Sequence, residues 1–330
     1  MADGIYGLPF DQFQRYRLLA EVVGILEGER PPLSVIEVGG GWPPKISAFL
    51  PGRQITVVDQ VEAEAEAEGY VRASGTGLPF PDQSFGIAVS IDALEHVPPP
   101  EREKFIAELC RVSRGFVVLA APFASEAVRA ADQAVFKFIR AHSGYEHPYL
   151  KEHLATALPD QVETMARLDG HGLDVEVLPS GRLDRWLLMM IVYYTLDGDP
   201  ALKSALPEVM AAYNRAYYPF DICEPAYRHF LIGASEKLGR GWGALHDLVK
   251  GESQTPQSPS ELAAALEFAR VTALAAKDRE LAALRAELTA REEEVKALRE
   301  ENAALHEFRD KVHALPLYGF YEQHIKPRIK

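Results

Sequence analysis

The segment VIEVGGGWPPK, residues 35–45, joins a strand-forming run and an acid to three glycines and two prolines. We predict that Glu37 lies near the carboxyl end of a strand and that Gly39–Gly41 form the turn after it. A second short apolar run, about twenty residues further on, ends in Asp59. An acid there can accept hydrogen bonds from both hydroxyls of a ribose, each worth about 1.5–3 kcal/mol. The glycine turn and the acid together indicate a site for a nucleoside-containing cofactor.

The two prolines narrow the choice of cofactor. Pro43 and Pro44 stand where a dinucleotide site would begin its helix. Pyrophosphate binding relies on backbone N–H groups at that helix N-terminus, and proline has no N–H to donate. The glycines still allow close approach to the backbone. The segment therefore disfavours a dinucleotide and favours a cofactor without phosphates, of which S-adenosylmethionine is the common one.

Short apolar runs alternate with amphipathic stretches through the first 240 or so residues. The predicted strands are Leu33–Val38, Gln54–Val58, Phe85–Ser90, Phe116–Ala120, Leu173–Leu178 and His229–Ser235. The predicted helices are Asp11–Leu26, with Asp11 as N-cap, then Lys45–Leu50, Pro100–Val112, Ser125–Ala141, Val162–Leu168 and Trp186–Leu196. This alternation predicts an α/β fold with a doubly wound, mostly parallel sheet.

The stretch Gly75–Val112 contains LPFPDQSF at Leu78–Phe85 and LEHV at Leu94–Val97. It resembles the class I S-adenosylmethionine-dependent methyltransferases, and within them the type 11 methyltransferase domain. The resemblance is close over Leu33–Ala121 and looser as far as Lys237. It implies a Rossmann-like seven-stranded sheet, S-adenosylmethionine as cofactor, and methyl transfer as the reaction.

The resemblance also assigns roles to individual residues. It implies that Glu37 holds the methionine amine of the cofactor indirectly and that Asp59 binds the ribose. Gly75 and Thr76 fall in the loop beside the adenine, and Ile91–Asp92 begin the loop under the transferred methyl. The predicted cofactor-binding residues are Glu37, Gly39, Gly40, Gly41, Asp59, Gln60, Ser74, Gly75, Thr76, Ile91 and Asp92.

Three positions depart from the family pattern. Pro43 replaces the third glycine of the first motif, Ser74 replaces the aspartate of the adenine loop, and Gly86 replaces the aspartate that follows "SF". Serine keeps a hydrogen-bonding oxygen but carries no charge. An alternative hypothesis is therefore a degenerate methyltransferase fold that acts as a scaffold.

Methyl transfer to a hydroxyl requires positioning and the removal of a proton. His96, directly after Glu95 in LEHV, is one candidate base. His147 and His153 in GYEHPYLKEH are two others, and Glu152 lies between them in the same predicted loop. Alternative liners of the acceptor pocket come from the predicted inserted cap: Tyr213, Asn214, Tyr217, Arg228 and His229.

No Asn-Pro-Pro-Tyr-like motif follows the fourth strand, which disfavours the amino groups of bases or of glutamine as acceptors. A hydroxyl or a carboxylate is the expected acceptor. The resemblance, with the C-terminal extension described below, favours O-methylation of a sugar or glycan precursor in polysaccharide biosynthesis. Methylation of a small natural product is the other enzymatic alternative.

Bulk properties exclude several classes of function. The net charge of −13 argues against a nucleic-acid backbone as partner. Cys110 and Cys223 lie far apart and lack metal-ligand spacing, so we expect reduced thiols and no metal site. The first ten residues do not resemble a signal peptide, and the longest apolar run, Trp186–Leu196, is too short to span a bilayer. We expect a cytoplasmic protein.

The C-terminal quarter changes to an Ala, Leu, Glu, Arg and Lys composition. One seam of residues seven apart comprises Leu274, Leu281, Leu288, Val295 and Asn302, and a second comprises Leu284, Leu298, Leu305 and Val312, interrupted by Arg291. Such heptads predict a coiled coil, and a polar Asn302 in the first seam favours a parallel homodimer.

The chain therefore divides into four predicted regions. They are a methyltransferase domain at 1–240 with cap insertions at about 122–172 and 182–226, a linker at 241–259, a coiled coil at 260–314, and a tail at 315–330. The tail is aromatic and basic. It is either frayed or locally docked, or it makes peripheral contact with a membrane.

Overall fold

The computed structural model of this 330-residue chain describes residues 4–63, 68–235, 240–249 and 260–328. Two compact units, Met1–Arg270 and Val271–Lys330, make up the chain. The first unit carries the sheet, and the second is formed by the C-terminal helices.

Within the described residues of the first unit, seven strands form one sheet. They are β1 (Val35–Val38), β2 (Ile55–Asp59), β3 (Tyr70–Arg72), β4 (Phe85–Ile91), β5 (Ser113–Ala121), β6 (Asp174–Arg182) and β7 (Ala226–Ala234). The strand order is β3-β2-β1-β4-β5-β7-β6. The pairs among β1 to β5 are parallel, whereas β7 pairs antiparallel with β5 and β6. The predicted mostly parallel, Rossmann-like sheet is confirmed, and its order reverses between β1 and β4, where ligands of such sheets bind.

Helices cover the sheet and extend the chain. They are α1 (Phe10–Glu27), α2 (Arg102–Val112), α3 (Glu126–Ser143), α4 (Pro148–Ala155), α5 (Gln161–Gly170), α6 (Leu183–Gly198), α7 (Leu206–Tyr217), α8 (Arg240–His246), α9 (Ser260–His313) and α10 (Pro316–Phe320). Every residue of β1 and β4 is buried. Central parallel strands read as continuous apolar runs because helices cover both of their faces.

Two hydrophobic cores lie on the two faces of the sheet. On one face, α1 packs its Leu19 and Val23 together with Ile46 and Phe49 against the strands. On the other face, α2 and α5 contribute a second cluster around Leu109. The strands are thereby held rigidly, which fixes the positions of the turns at their carboxyl ends.

A third core belongs to the helical cap. Buried side chains of α3, α4, α6 and α7, with Phe10 of α1, pack into a separate cluster that includes Val135, Trp186 and Met210. These helices lie in the two segments between β5 and β6 and between β6 and β7. They supply the wall that faces the reversal point of the sheet.

The structure corrects several local predictions near the site. Asp11 is not an N-cap, because α1 begins at Phe10 after Pro9. The predicted loop GYEHPYLKEH contains α4, with His147 as its N-cap and Pro148 at the first helical position, which suits proline. The predicted helix Lys45–Leu50 is only a short 3-10 turn.

Other corrections concern elements with weak patterns. The three-residue strand β3 was not predicted, since it is too short to show alternation. The first residues of the predicted linker 241–259 continue α8, whose Leu245 is buried, while Trp242 packs against the core. Residues 250–259 of that prediction lie outside the described residues.

The second unit is dominated by α9, whose 54 residues correspond to about 80 Å at 1.5 Å per residue. Six predicted seam residues on its described part are exposed by 46–60%: Leu281, Leu284, Leu288, Val295, Leu298 and Leu305. The described part of the predicted tail is helical, beginning with α10. Among the described residues, no helix combines the length and apolar character needed to cross a bilayer.

Candidate functional site

A cavity of about 810 Å³ opens at the carboxyl ends of β1, β2 and β4, beneath the cap helices. The predicted cofactor residues that line it are Gly39, Gly40, Gly41, Asp59, Gln60, Ser74, Gly75, Thr76, Ile91 and Asp92. The three candidate histidines, His96, His147 and His153, line it as well. The remaining predicted residue, Glu37, lies fully buried beneath the glycine turn. Residues separated by more than one hundred positions therefore meet in one space.

The glycine turn presents bare backbone to the cavity. Gly39 has φ +85°, and a Cβ atom there would lie 2.4 Å from the Cβ of Ala93. A Cβ on Gly40 would lie 2.5 Å from Oε2 of Glu37. Gly41 has φ +68°, which side-chain-bearing residues rarely adopt. The turn therefore requires glycine for both conformation and space, and a ligand can approach its backbone closely.

Glu37 is a buried acid with one unsatisfied oxygen. Its Oε1 accepts a hydrogen bond from the hydroxyl of Tyr16 at 2.8 Å. Its Oε2 has no hydrogen-bond partner in the described parts of the chain. Burial raises the pKa of Glu37 to about 7, although Tyr16 and Arg15 oppose the rise. Oε2 is placed to accept from a donor that approaches over the glycine turn.

Lys45 and Arg15 add positive charge beside this acid. Both side chains line the cavity. Burial, together with the nearby charge of Arg15, lowers the pKa of Lys45, while Glu37 opposes that change. The end of the cavity under the glycine turn thus offers one acid and two cations, a set that matches a zwitterionic amino-acid group.

Asp59 is locked at the end of β2. Its Oδ2 accepts from the backbone N–H of Gly41 at 2.8 Å, and its Oδ1 accepts from that of Val61 at 2.9 Å. Each carboxylate oxygen retains a second lone pair. The Asp59 carboxylate is therefore fixed with acceptor capacity left for two vicinal hydroxyls. In the same region, the ring of Trp42 stands edge-on to that of Tyr70 with centroids 5.1 Å apart.

The next loop forms the adjoining wall. The Ser74 hydroxyl lies 2.9 Å from that of Thr76 and accepts from the backbone N–H of Thr76 at 3.2 Å. A Cβ atom on Gly75 would lie 2.3 Å from the Phe105 ring. Only glycine therefore allows this loop to approach the ring so closely, and both Gly75 and Phe105 line the cavity.

The positions that depart from the family pattern differ in their relation to the cavity. Gly86 lies at the amino end of β4, whereas the cavity lies at the carboxyl end, and a Cβ there would meet Leu33 at 2.7 Å. Pro43 sits between Trp42 and Lys45, both of which line the cavity. Ser74 is thus the departure that changes a lining side chain.

A buried ionic cluster surrounds Asp92 at the end of β4. Nε and Nη2 of Arg228 donate to the two carboxylate oxygens of Asp92 at 3.0 and 2.8 Å. Nη1 of Arg15 donates to Asp92 Oδ2 at 2.5 Å. Asp11 completes the cluster, since its Oδ1 accepts from Arg228 at 2.7 Å. This pairing explains why the acid predicted to cap α1 lies inside the helix.

Charge pairing keeps Asp92 ionised. Burial raises the pKa of Asp92, but Arg228 and Arg15 outweigh it and bring the value down to about 2. Asp92 also has φ +49°, an uncommon conformation for a residue with a side chain. A fixed anion therefore lies at the point where the resemblance places the transferred methyl.

Two of the three candidate histidines have a carboxylate partner at Nδ1. Nδ1 of His153 lies 3.1 Å from Asp132, and Nδ1 of His96 lies 3.0 Å from Glu152. A carboxylate partner favours a proton on Nδ1, which leaves the lone pair on Nε2. Burial lowers the pKa of His96 while Glu152 opposes it, so that ring is neutral near pH 7. Asp132 is held in turn by the Tyr227 hydroxyl at 2.8 Å.

His147 uses its lone pair differently. As N-cap of α4, its Nδ1 accepts from the backbone N–H of Leu150 at 3.4 Å. The proton therefore resides on Nε2, and the ring acts toward the cavity as a donor. Geometry thus favours His96 and His153 over His147 as proton acceptors, a distinction that the sequence did not show.

The alternative liners predicted near the last strand have mixed positions. Arg228 lines the cavity. Tyr213 donates to Asp221 at 2.7 Å and stacks on Tyr217, and Asn214 donates to two backbone carbonyls near the N-terminus. His229 lies 2.8 Å from Glu224 and does not line the cavity. These other residues hold the cap together.

Sequence reasoning missed several residues of the cavity. Arg15 on α1 and Tyr227 on β7 line the cavity, and Asp132 on α3 does not line it but contacts His153, which does. Trp186, which stacks on Tyr227 with centroids 3.5 Å apart, also lines the cavity. Apart from Arg15, none forms a local pattern with its partners in the sequence. Arg15 and Asp11 have i,i+4 spacing, which places them on one face of α1.

Comparison with known proteins gives matches to one part of the chain. Residues 37–119 match a protein family described as "Methyltransferase domain". An uncharacterized methyltransferase from Mycobacterium sp. (strain JLS) is 41% identical over 96 residues, which covers 26% of this chain and 37% of that protein. One from Mycolicibacterium gilvum (strain PYR-GCK) is 37% identical over 101 residues, covering 26% of this chain and 38% of that protein. The matched region therefore spans little more than a third of these relatives.

Solved structures are similar at a lower level. The YcgJ protein from Bacillus subtilis is 16% identical, with a TM-score of 0.39, covering 66% of this chain and 99% of that one. Magnesium protoporphyrin IX methyltransferase from Synechocystis PCC 6803, with bound SAH, is 11% identical, with a TM-score of 0.41, covering 68% of this chain and 84% of that one.

Proposed function

We propose that this chain, whose residues 37–119 form a methyltransferase domain, is an S-adenosylmethionine-dependent O-methyltransferase. The observation that carries the proposal is one cavity with two chemically different sides. The cofactor side comprises Glu37, the glycine turn, Asp59 and the loop at Ser74–Thr76. The histidine side comprises His96, His147 and His153 with the aromatic residues of the cap.

The residues of the cofactor side fit S-adenosylmethionine. The free oxygen of Glu37 suits the amine of the cofactor, and Lys45 and Arg15 suit its carboxylate. Asp59 suits the ribose hydroxyls, and the cavity wall at Gly75 and Phe105 suits the adenine. When bound, this cofactor supplies a methyl group on a positively charged sulfur.

The ionic cluster of Asp92 supports the reaction by its position. Arg228 and Arg15 balance the charges of Asp92 and Asp11, so the cluster fixes the end of β4 at the cavity wall without adding net charge. The acceptor oxygen forms the new C–O bond while the S–CH3 bond breaks and leaves its electron pair on sulfur. The hydroxyl proton leaves toward the histidine side, where His96 and His153 are the candidate bases and His147, whose Nδ1 accepts from Leu150, is a candidate donor.

The lining of the histidine side favours a ring-shaped acceptor with hydroxyl groups. Tyr149, Trp186, Tyr193 and Tyr194 all line this region. Aromatic faces with nearby polar groups are typical of sites for small organic ligands. A sugar or glycan precursor meets this description, and a small hydroxylated or carboxylated natural product is the second candidate.

The C-terminal helix supports self-association. Its exposed leucine seams need a partner helix to be covered, and a polar Asn302 in one seam favours a parallel pair in register. We therefore propose a homodimer formed through α9, in a cytoplasmic protein without nucleic-acid partners. The exposed Leu317 and Phe320 with Lys326 support peripheral membrane contact by the tail as a second proposal.

Calorimetric titration with S-adenosylmethionine tests the cofactor assignment. Asp59→Ala should weaken binding at least about tenfold, because it removes a charge-assisted contact. Glu62→Ala is the matched control, since Glu62 is exposed and pairs with Arg72 near the same turn. Absence of binding by the parent chain, with an intact dimer in sedimentation, would instead support the scaffold alternative.

Transfer of labelled methyl groups tests the acceptor class. The parent chain should label sugars or glycan precursors more efficiently than phenols or free carboxylic acids. A preference for phenols would favour the natural-product alternative. Labelling of protein glutamine or nucleobases would contradict the proposed oxygen acceptor.

A further inference from the structure

The histidine side holds a group of potential ligands that methyl transfer alone does not explain. Glu95, His96 and His153 each offer one ligand atom, and these atoms lie within 4.8 Å of one another. Ligands of one tetrahedral cation lie about 3.4 Å apart, given bonds of about 2.1 Å. Small side-chain rotations would therefore bring all three onto a single ion.

Two of the three ligand groups are buried and unsatisfied. Glu95 is 3% exposed and His153 is 9% exposed. Glu95 Oε2 and His153 Nε2 have no hydrogen-bond partner within the described ranges of the chain. A buried acceptor atom without a partner is unfavourable and uncommon. Two such acceptors on the same side of one cavity are placed to share a cation.

The surrounding carboxylates orient both imidazoles for this role. Asp132 faces Nδ1 of His153 at 3.1 Å, and Glu152 faces Nδ1 of His96 at 3.0 Å. Each ring then keeps the lone pair of its other nitrogen available for a ligand bond. Histidines that bind metals commonly donate their second N–H to a carboxylate in this way. Tyr227 fixes Asp132 in turn.

We propose that Glu95, His96 and His153 bind one divalent transition-metal ion, of the zinc or iron(II) class, on the histidine side of the cavity. Two imidazoles and one carboxylate suit such ions, whereas magnesium and calcium prefer oxygen ligands throughout. Three protein ligands leave a coordination position open toward the cavity. A histidine acting only as a base would not require the buried carboxylate of Glu95 beside it.

The metal site extends the proposed function without depending on it. An acceptor oxygen in the open position would have a lowered pKa, so its proton could leave to water. This reaction step rests on the proposed methyl transfer. The binding of the ion rests on the three ligands alone.

Titration of the full chain with zinc chloride tests the proposal. The protein is first freed of metal by dialysis against a chelator, then studied by calorimetry and elemental analysis at pH 7.5. We expect one ion per chain with a dissociation constant of about 1 µM or tighter. Glu95→Gln and His153→Ala should each weaken binding at least about 100-fold, and Asp132→Asn about 10- to 100-fold.

His147→Ala is the matched control, because His147 lines the same cavity but is outside the ligand group. It should leave zinc binding unchanged. Far-UV circular dichroism and S-adenosylmethionine titration establish folding of each variant, and the near-isosteric Glu95→Gln provides a second route if His153→Ala unfolds. Equal binding by the parent chain and Glu95→Gln means an adventitious ion only and overturns the proposal.

The two proposals fail separately. S-adenosylmethionine binding without stoichiometric zinc overturns the metal site and leaves the proposed function intact. Stoichiometric zinc without S-adenosylmethionine binding supports the metal site and overturns the proposed function.

Discussion

The two sides of the cavity are built in different ways. The cofactor side relies on backbone: glycines with positive φ, turns at strand ends, and a carboxylate fixed by amide N–H groups. The histidine side relies on side chains from the short 3-10 turn Leu94–His96 and from cap helices, with carboxylates orienting imidazoles. The cofactor side lies mostly within residues 37–119, which match the methyltransferase domain, whereas His147 and His153 lie beyond it.

This difference indicates a division of roles. A backbone-built site can be specified by a short contiguous motif, because glycine and proline act on their own conformation. A site built from side chains of separate helices can change its ligand through single substitutions. We expect the cofactor to be shared with other proteins that carry this domain, while the acceptor is particular to this chain.

Removal of Arg228 should have the largest effect, since it links the two sides. Arg228→Leu would leave the half-buried carboxylates of Asp92 and Asp11 with one counter-charge fewer, and loss of one partner in a buried pair costs about 3–5 kcal/mol, of which we expect the lower end here. Chemical denaturation should show that loss in the free energy of unfolding. Arg167→Leu is the control, because Arg167 forms exposed ion pairs with Glu103 and Glu163, and such pairs contribute about 0–1 kcal/mol. Equal losses in both variants would contradict the linking role.

Glu37→Gln should weaken cofactor binding and, at high pH, increase the stability of the fold. The folded-state pKa of Glu37 is about 7, against an ordinary value of 4.5. Between pH 4.5 and pH 7 the folded state therefore binds more protons than the unfolded state. The free energy of unfolding falls as pH rises through that range, by about 3 kcal/mol in total. The variant should be more stable than the parent at pH 8 and similar at pH 4.5, while it binds S-adenosylmethionine more weakly. Unchanged thermal stability at both pH values would contradict the raised pKa.

Gly39→Ala should affect the cofactor side alone. Its Cβ atom would meet Ala93 at 2.4 Å, in a backbone conformation with φ +85°. We expect S-adenosylmethionine affinity to fall about tenfold or more, since such strain is worth about 1–3 kcal/mol. Gly77→Ala is the matched control because nothing lies within 4 Å of a Cβ there. If the histidine side also lost zinc binding, the separation between the two sides would be wrong.

Ser74→Asp should produce the smallest change and improve the site. It restores a charged acceptor where the family pattern has one, and a hydrogen bond to a charged group is about 1 kcal/mol stronger than a neutral one. Calorimetry should show S-adenosylmethionine binding about fivefold tighter. Weaker binding would indicate that the hydroxyl pair of Ser74 and Thr76 is itself part of the cofactor contact.

The sequence predicted the sheet and most of the cofactor side because their signals are local. Buried strands show as continuous apolar runs, and Gly39 and Asp59 occupy fixed positions relative to strand ends. The pattern missed β3, which has three residues, and α4, which lies in the predicted His- and Tyr-rich loop.

The histidine side could not be predicted in the same way. His96 and His153 were recognised as candidates, but nothing in their spacing showed that each ring faces a carboxylate. The cysteine pattern indicated no metal site, whereas the proposed ligands come from a turn after β4 and from α4. Arg15 and Arg228 were separated from Asp92 by intervals that carry no periodic signal.

The residues of the ionic cluster lie far apart in the sequence, which affects when the site can be completed during synthesis. Arg228 lies 136 positions after Asp92 and 217 after Asp11. A ribosome therefore completes the glycine turn, Asp59 and Arg15 well before it makes Arg228, the second guanidinium that pairs with Asp92. The strand that carries Arg228 must then insert between β5 and β6, which are already made. A nascent chain that stops short of β7 would contain the whole motif but lack Arg228, so the last strand of the sheet completes the cavity.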